Sequence, residues 1–301
     1  MWHFISDHIS QQVGETFICE TARLIQQQHA HTCYVLKGAT KRYFVKLRES
    51  AIDLAPSTLL SSPLQCEAEG LAAIQATNTI KTPQLICHGN VEENHKQIEY
   101  LVLQYICFKS PSENLWQRAG EQLAGLHQVK MDNHFGWRQD NWVGATQQSN
   151  AVDQDWARFF CQQRLQALLI KLVNNKVDIQ LSDELLSNIQ AFLSVHSPSH
   201  SLLHGDLWIG NMGFTRTSPI IFDPATFIGD REVELAMAML FGGFAKRFFE
   251  AYHSVYPMKE DAEKRIAIYQ LYPLLNHALM FGGNYTAQAN RQIQSIQSDI
   301  L

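Results

Sequence analysis

The chain changes character once along its length, and that change limits its folds more than any other feature. CYVLKG (33–38) and RYFVKL (42–47) flank a short Ala-Thr-Lys link and are rich in aromatic and β-branched residues, the pattern of a β-hairpin. TPQLICHG (82–89) and QIEYLVLQYI (97–106) read as two further strands parted by the polar link NVEENHK. Between these pairs, SSPLQCEAEGLAAIQATN (61–78) switches to a helical period through Leu64, Leu71 and Ile74. Ser61 or Ser62 serves as its cap, with Pro63 in the first turn. After Lys109-Ser110-Pro111 helical patterns take over at 112–129, 155–173, 182–194 and from about 231 to the end. Short strands around MGFTR (212–216) and PIIFD (219–223) interrupt them. This order predicts an α+β, two-lobed chain. Residues 1–106 form a small β-rich lobe with one helix, residues 107–301 a larger, mainly helical lobe, and a ligand cleft lies between them.

With 301 residues there is ample core for such lobes, and 46% hydrophobic against 18% charged residues is ordinary for a globular protein. A formal net charge of −5 supplies no global field for nucleic acid or an anionic membrane, so any phosphate chemistry must be local. Cys19, Cys33, Cys66, Cys87, Cys107 and Cys161 show no CxxC spacing, which argues against a zinc site or disulfide framework and for a reducing compartment. MWHFISDHIS lacks the pattern of a secretory signal. The apolar run LAMAMLFGGF is too short to span a bilayer and is bounded by Glu234, Lys246 and Arg247. These features set the expectation of a cytoplasmic protein with no nucleic-acid or membrane partner.

The chemistry-bearing residues come in a telling order. Lys46 ends the apolar run Tyr43-Phe44-Val45; Glu67 and Glu69 lie on the next helix; HGDLWIGN (204–211) sets Asp206 five residues before Asn211; Asp223 ends the apolar strand PIIFD. Alone, each has an ordinary reading: an edge-strand lysine, a solvated helix face, a polar turn, a turn-forming aspartate. Together they match the needs of phosphoryl transfer. A lysine held by a glutamate neutralises phosphate, and an aspartate takes the proton of the attacking hydroxyl. An amide oxygen and a second carboxylate suit Mg²⁺. The order is that of the protein-kinase signature set. His204 reads as a structural hydrogen-bonder of the loop, and Gly205 and Gly210 permit its tight turns.

LLHGDLWIGN, IIFDPATFIGDREVELAMAMLFGGF (220–244) and YQLYPLLNH (269–277), with FVK (44–46), CEAEGL (66–71) and DWARFFCQQRL (155–165), resemble the fructosamine kinase or ketosamine 3-kinase family, within the aminoglycoside and choline kinase-like group. The resemblance spans nearly the whole chain. It implies a bilobal protein kinase-like fold and ATP- and Mg²⁺-dependent phosphorylation of the 3-hydroxyl of fructosamines or ribulosamines, free or on protein lysines, in deglycation repair. By that resemblance Asp206 is the proton acceptor, Asn211 and Asp223 hold Mg²⁺, and Lys46 contacts the ATP phosphates with Glu67 as its partner. Gln104, Tyr105 and Ile106 form the hinge that meets adenine.

Trp208 is either a sugar-stacking platform or a core tryptophan beneath the loop. His277 is placed in the same pocket, and FGWRQDNWVG (135–144) brings two more tryptophans to the acceptor side. The chain departs from the family pattern at QQQHAHT (26–32), where a phosphate loop would carry glycine. Gln28 and His31 are the side chains that could substitute there, and His29 with His31 lacks a third metal ligand. It departs again at Glu234, where relatives tend to carry Asp. Two alternatives stand beside the ketosamine kinase. One is a kinase for another alcohol of the aminoglycoside or choline type, disfavoured by the lack of a dense acidic cluster after residue 240. The other is a catalytically inactive kinase-like binding module.

Overall fold

Strand periodicity in the front third becomes a five-stranded antiparallel sheet in a computed structural model that describes residues 1–27, 31–51, 62–93 and 95–299. Its strands are β1 (Thr21–Gln27), β2 (Thr32–Lys37), β3 (Arg42–Ala51), β4 (Leu85–Glu93) and β5 (Lys96–Gln104), in spatial order β1-β2-β3-β5-β4. The segment NVEENHK, expected as a link, instead belongs largely to the ends of β4 and β5, because the pairing runs on through Asn90↔Glu99 to Glu93↔Lys96. Alternation sorts the side chains onto two faces. Tyr43, Val45, Leu47, Tyr100 and Val102 make one apolar face; Phe44, Leu101 and Leu103 make the other.

Each face carries a helix. The second is α2 (Pro63–Ala76), whose Leu64, Ala68 and Leu71 pack on Leu101 and Leu103. Ser62 is its cap, its hydroxyl accepting from the Gln65 N–H, and Pro63 opens the first turn. The first is α1 (Trp2–Val13), which the sequence reading lacked: the front lobe was expected to hold one helix and holds two. Ile5 and Ile9, one turn apart, are fully buried in the cluster with Val45 and Val102. No side chain caps the start of α1, and only Gly14, at φ 71, signals its end. Lys46 lies on the α2 side of the sheet because it is out of phase with Val45. That parity decides where its ammonium goes.

The remainder is helical. It comprises α3 (Glu113–His127), α4 (Trp156–Phe159), α5 (Ala167–Asn174), α6 (Asp183–Ser194), α7 (Arg231–Phe241), α8 (Lys246–Val255), α9 (Ala262–Tyr269), α10 (Leu271–Phe281) and α11 (Gly283–Asp299). Between α4 and α5 the expected single helix passes through a π-helical stretch, Phe160–Gln166, which turns Arg164 inward. Arg164 is fully buried, its guanidinium 4.2 Å from the Phe227 ring centre, and its Nη2 donates to Asn150 Oδ1 at 2.8 Å. The arginine thereby fixes the segment that follows a hairpin of β6 (Asn141–Val143) and β7 (Thr146–Gln148). At the start of α7, Asp230 is the N-cap, accepting from the Glu232 N–H, and pairs with His196 at 2.8 Å. Arg265 grips Glu232 through Nε and Nη2 at 2.7 and 2.9 Å.

Two short ladders complete the helical part. Strand β8 (Ser201–Leu203) pairs with β11 (Phe227–Gly229), and β9 (Met212–Phe214) pairs with β10 (Pro219–Ile221). These strands are shorter than MGFTR and PIIFD suggested, since Thr215 turns the chain with its hydroxyl accepting from the Ser218 N–H. Helices α3 and α8 meet at Gly120, where an added Cβ would lie 2.1 Å from the Phe248 carbonyl oxygen. Gly120→Ala therefore gains about 1 kcal/mol of helix propensity but meets a backbone clash costing roughly 1–3 kcal/mol. The expected outcome is a lowered thermal unfolding midpoint, read by calorimetry; an unchanged or raised midpoint would contradict this packing.

Candidate active site

The two ladders aim a loop and a turn at the sheet. Residues 204–211 run from β8 to β9, and Asp223 follows β10. Backbone bonds tie these segments together: Ala225 N–H donates to His204 O at 2.9 Å and Phe222 N–H to Asn211 O at 3.1 Å. Gly205 is obligatory in the loop, since at φ 85 an added Cβ would lie 2.1 Å from Ala225 O. Asp223 has φ 64, a conformation uncommon for a non-glycine residue and typical of functional turns.

Lys46 stands at the meeting point. Its Nζ is 2.7 Å from Glu67 Oε2 and 2.5 Å from Asp223 Oδ1, with the lysine side chain buried and that of Asp223 39% exposed. Glu67 takes this place while Glu69 turns away to Gln139 at 2.6 Å and Arg138 at 3.2 Å. Burial works against the Lys46 cation, but Asp223 and Glu67 together raise its pKa above the ordinary lysine value. Burial pushes Glu67 up to about 8 despite the opposing pull of Lys46. Asp223 is also penalised by burial, yet the adjacent Lys46 ammonium holds it below the usual carboxylate range.

Asp206 and Asn211 sit together on the loop. Asn211 Nδ2 donates to Asp206 O at 2.8 Å and to Asp206 Oδ2 at 3.1 Å, which leaves Asn211 Oδ1 as the free end of the amide. Burial, then the negative charge of Asp223, raise the Asp206 pKa well above its ordinary value. The cluster thus holds Glu67, Asp206 and Asp223 against a single ammonium. Such an excess of carboxylate with a free amide oxygen is a donor set that fits a hard divalent cation, with Asn211 and Asp223 as its oxygens.

Beneath the loop lies a brace in which His204 is the structural hydrogen-bonder the sequence suggested, while Glu234 was noted there only as a departure. His204, fully buried, donates from Nε2 to Phe222 O at 2.9 Å, while its Nδ1 accepts from the Asp206 N–H at 3.3 Å. Glu234, on α7, accepts from the backbone N–H of His204 at 3.1 Å and of Gly205 at 2.7 Å. It also pairs with His127 Nε2 at 2.8 Å, and Tyr252 OH lies 2.7 Å from His127 Nδ1. Burial would raise Glu234, but His127, then the charge of His204 and the Gly205 N–H, bring it below the usual range. Acidic spacing on α7 is the only signal that could have flagged it.

These residues open onto one cleft of about 1910 Å³, larger than the roughly 300–1,000 Å³ of a single small-molecule site and sufficient for two reactants. Lys46, Glu67, Asp206, Asn211 and Asp223 all line it, as do Gln104, Tyr105 and Ile106. The Gln104 N–H is donated to Gln84 O at 2.9 Å, which leaves its carbonyl and the backbone of Tyr105 and Ile106 as the hinge groups facing the cleft. His31 also lines the cleft, and burial followed by the charge of Lys46 lowers its pKa. Gln28 and His29 lie outside the described residues. Trp208 is 41% exposed, with its ring packed over Gly210, so of its two readings the core one is excluded. His277 lines the same space, its ring 4.7 Å from Phe241 and 4.9 Å from Tyr285. Of the tryptophans in FGWRQDNWVG, Trp142 reaches the cleft, whereas Trp137 packs on the helical core.

The family model described as fructosamine kinase matches residues 1–299. The chain belongs to the fructosamine kinase family. Among similar proteins are a "probable ketoamine kinase" of Synechocystis sp., 37% identical over 97% of this chain and 96% of its own length, and one of Vibrio cholerae, 35% identical over 99% and 100%. The solved structure of a "putative fructosamine-3-kinase" from Haemophilus somnus has a TM-score of 0.89 at 27% identity, covering 98% of this chain and 97% of its own. A thermostable mutant of the aminoglycoside phosphotransferase APH(4)-Ia, at TM-score 0.63 and 12% identity over 97% of both chains, shares the protein kinase-like fold. Among the described residues no helix is long and apolar enough to cross a membrane.

Two outcomes follow from this geometry. Glu234→Gln replaces one of two buried acceptors with a donor facing an N–H, a mismatch costing about 1–3 kcal/mol. Turnover is expected to fall about tenfold or more while the KM for nucleotide holds, because the loop rather than the nucleotide pocket is disturbed; equal losses in both would show a general structural defect. Burial keeps His31, His200, His204 and His277 below the ordinary 6.5. As pH falls below about 6.5 the unfolded chain takes up protons the folded chain refuses, so stability is full above that value and declines beneath it. Melting curves from pH 8 to 5.5 test this. His200→Phe, which keeps an aromatic ring against Phe135 (4.3 Å from His200) and cannot titrate, should flatten the slope.

Proposed function

We propose that this family member is an ATP-dependent ketosamine 3-kinase that phosphorylates the sugar 3-hydroxyl of fructosamine or ribulosamine adducts, in support of deglycation. The observation that carries the reading is the convergence of Lys46, Glu67, Asp206, Asn211 and Asp223 from separate elements onto one cleft. In this reading residues 1–106 bind nucleotide and residues 107–301 supply the base and the acceptor pocket. Lys46, steadied by Glu67, binds the phosphates, and Tyr105 and Ile106 offer their backbone to adenine. Asn211 and Asp223 hold Mg²⁺, which when bound offsets charge on the triphosphate.

Asp206 accepts the hydrogen bond of the acceptor hydroxyl and takes its proton as that oxygen attacks phosphorus. Its raised pKa brings it nearer the working pH of a general base. Trp208 packs its exposed indole face on the sugar, beside His277. The names of the Synechocystis and Vibrio relatives agree with a ketosamine as acceptor. Incubation of the protein with MgATP and fructosyl-lysine should release ADP and yield a sugar 3-phosphate by phosphorus NMR. Asp206→Asn should lower that rate about a hundredfold or more. A wild-type protein that turns over no ketosamine but phosphorylates another alcohol would replace this substrate assignment.

A further inference from the structure

His31 brings a half-buried imidazole to the cleft, and the fold gives that ring nothing to hold. It stands just before β2, at the end of the glycine-free stretch QQQHAHT. Among the described residues it forms no hydrogen bond or ion pair. Neither ring nitrogen belongs to the buried atoms that lack a partner, so both are reachable from the cleft that His31 lines.

Sheet register fixes which face it serves. Across β2 and β3, Thr32 pairs with Leu47 and Cys33 with Lys46. Side chains alternate along a strand, so His31, two residues before Cys33, falls on the face that carries Lys46. The cleft lining follows the same parity: Cys33, Val35, Phe44, Lys46 and Arg48 face it, whereas Thr32, Tyr34, Val45 and Leu47 do not. His31 therefore stands diagonal to Lys46, about 7–8 Å away between backbones. A run of phosphates bridges such a gap, with the ammonium on one oxygen and the imidazole on another. After burial, the charges acting on His31 are those of Lys46 and then Asp223, in keeping with that placement.

The site has a use for another donor there. Lys46 already answers Glu67 and Asp223. Arg48, the other cation on this face, is drawn aside, its guanidinium 5.7 Å from the Trp142 ring centre and 4.0 Å from Glu99. A glycine-rich loop would cover the phosphates with its backbone. An imidazole that stays neutral keeps one N–H to donate and adds no charge to the cluster.

We propose that His31 binds the nucleotide's phosphates: its ring donates an N–H to a non-bridging oxygen of the triphosphate held at Lys46. This rests on the ATP-dependent kinase reading of the site. The test measures binding of the magnesium complex of the ATP analogue AMP-PNP and of adenosine, which has no phosphate, by calorimetry. His31→Ala should weaken the analogue about tenfold or more and leave adenosine and the acceptor's KM unmoved. His31→Gln, whose amide N–H can stand in for the ring's, should recover most of that loss. His31→Phe keeps an aromatic ring without a donor and should behave as His31→Ala does; should the alanine variant fail to fold, it decides. Equal weakening of the analogue and adenosine, or a loss in His31→Gln as large as in His31→Ala, would overturn the donor role. If wild type binds no nucleotide in the presence of Mg²⁺, the kinase reading falls and this proposal with it. If wild type binds the analogue and the alanine and phenylalanine variants bind it as tightly, the role of His31 alone is overturned.

Discussion

The site depends on one ammonium shared by carboxylates that the chain keeps far apart. Lys46 comes from the middle of the sheet, Glu67 from the helix on its face, and Asp223 from a turn 177 residues after the lysine. Removing one partner of the buried Lys46–Glu67 pair leaves its charge uncompensated, a penalty of about 3–5 kcal/mol, while the more exposed Asp223 closes the cluster from the cleft. The arrangement is not a device for stability, since a well-packed apolar cluster would serve that end as well. Its value lies in what remains unbalanced. Asp206 adds a further carboxylate to the neighbourhood, and burial first, then the charge of Asp223, push its pKa upward against the weaker pull of Asn211 and Lys46.

A loop that must present such a carboxylate has to be rigid, and its rigidity is supplied from below. Glu234 receives two successive backbone N–H groups, His204 links the loop to the strand end before Asp223, and the Ala225 N–H returns a bond to His204 O. Every contact in this brace is to backbone or to a fully buried side chain, so the Asp206 carboxylate sits on a preorganised mount rather than on a flexible turn. The longer Glu in place of Asp leaves the charge intact and still spans both amides. His127 and Tyr252 carry the brace onward to α3 and α8, which couples loop geometry to the packing around Gly120.

Those features of the fold that rest on local physics were legible in the sequence. Period-2 runs gave the central strands, period-3.6 runs gave α2, α3 and α6, and the Ser62-Pro63 start of α2 was visible as a cap. The order of Lys46, Glu67, Asp206, Asn211 and Asp223 was legible because phosphate chemistry constrains residue types so tightly. Elements set by tertiary contact were not. Helix α1 has no capping side chain, strands β6, β7, β8 and β11 are too short for a periodicity signal, and the π-helical stretch around Arg164 exists because the arginine is pulled among aromatic rings. The preoccupied N–H of Gln104 was equally invisible, since it depends on a pairing with Gln84 that no motif encodes. Trp208 stayed open for a related reason: indole burial is decided by neighbours, and here Gly210 offers a flat bed that leaves the other ring face outward.

In the proposed reading, phosphate handling and acceptor choice reside on different parts of the chain. The first is built from β3, α2 and the 204–223 segment, where each residue answers to charge and spacing. In that reading the second is built from the β6–β7 hairpin, α10 and α11, where aromatic rings line the cleft. Shape and apolar surface tolerate many residue combinations, whereas a metal-bridged phosphate tolerates few. That asymmetry fits a fold shared with an aminoglycoside phosphotransferase at only 12% identity. In the same reading the determinants of substrate choice lie on the elements whose sequence carries the weakest local pattern, and only the folded arrangement brings them to the cleft.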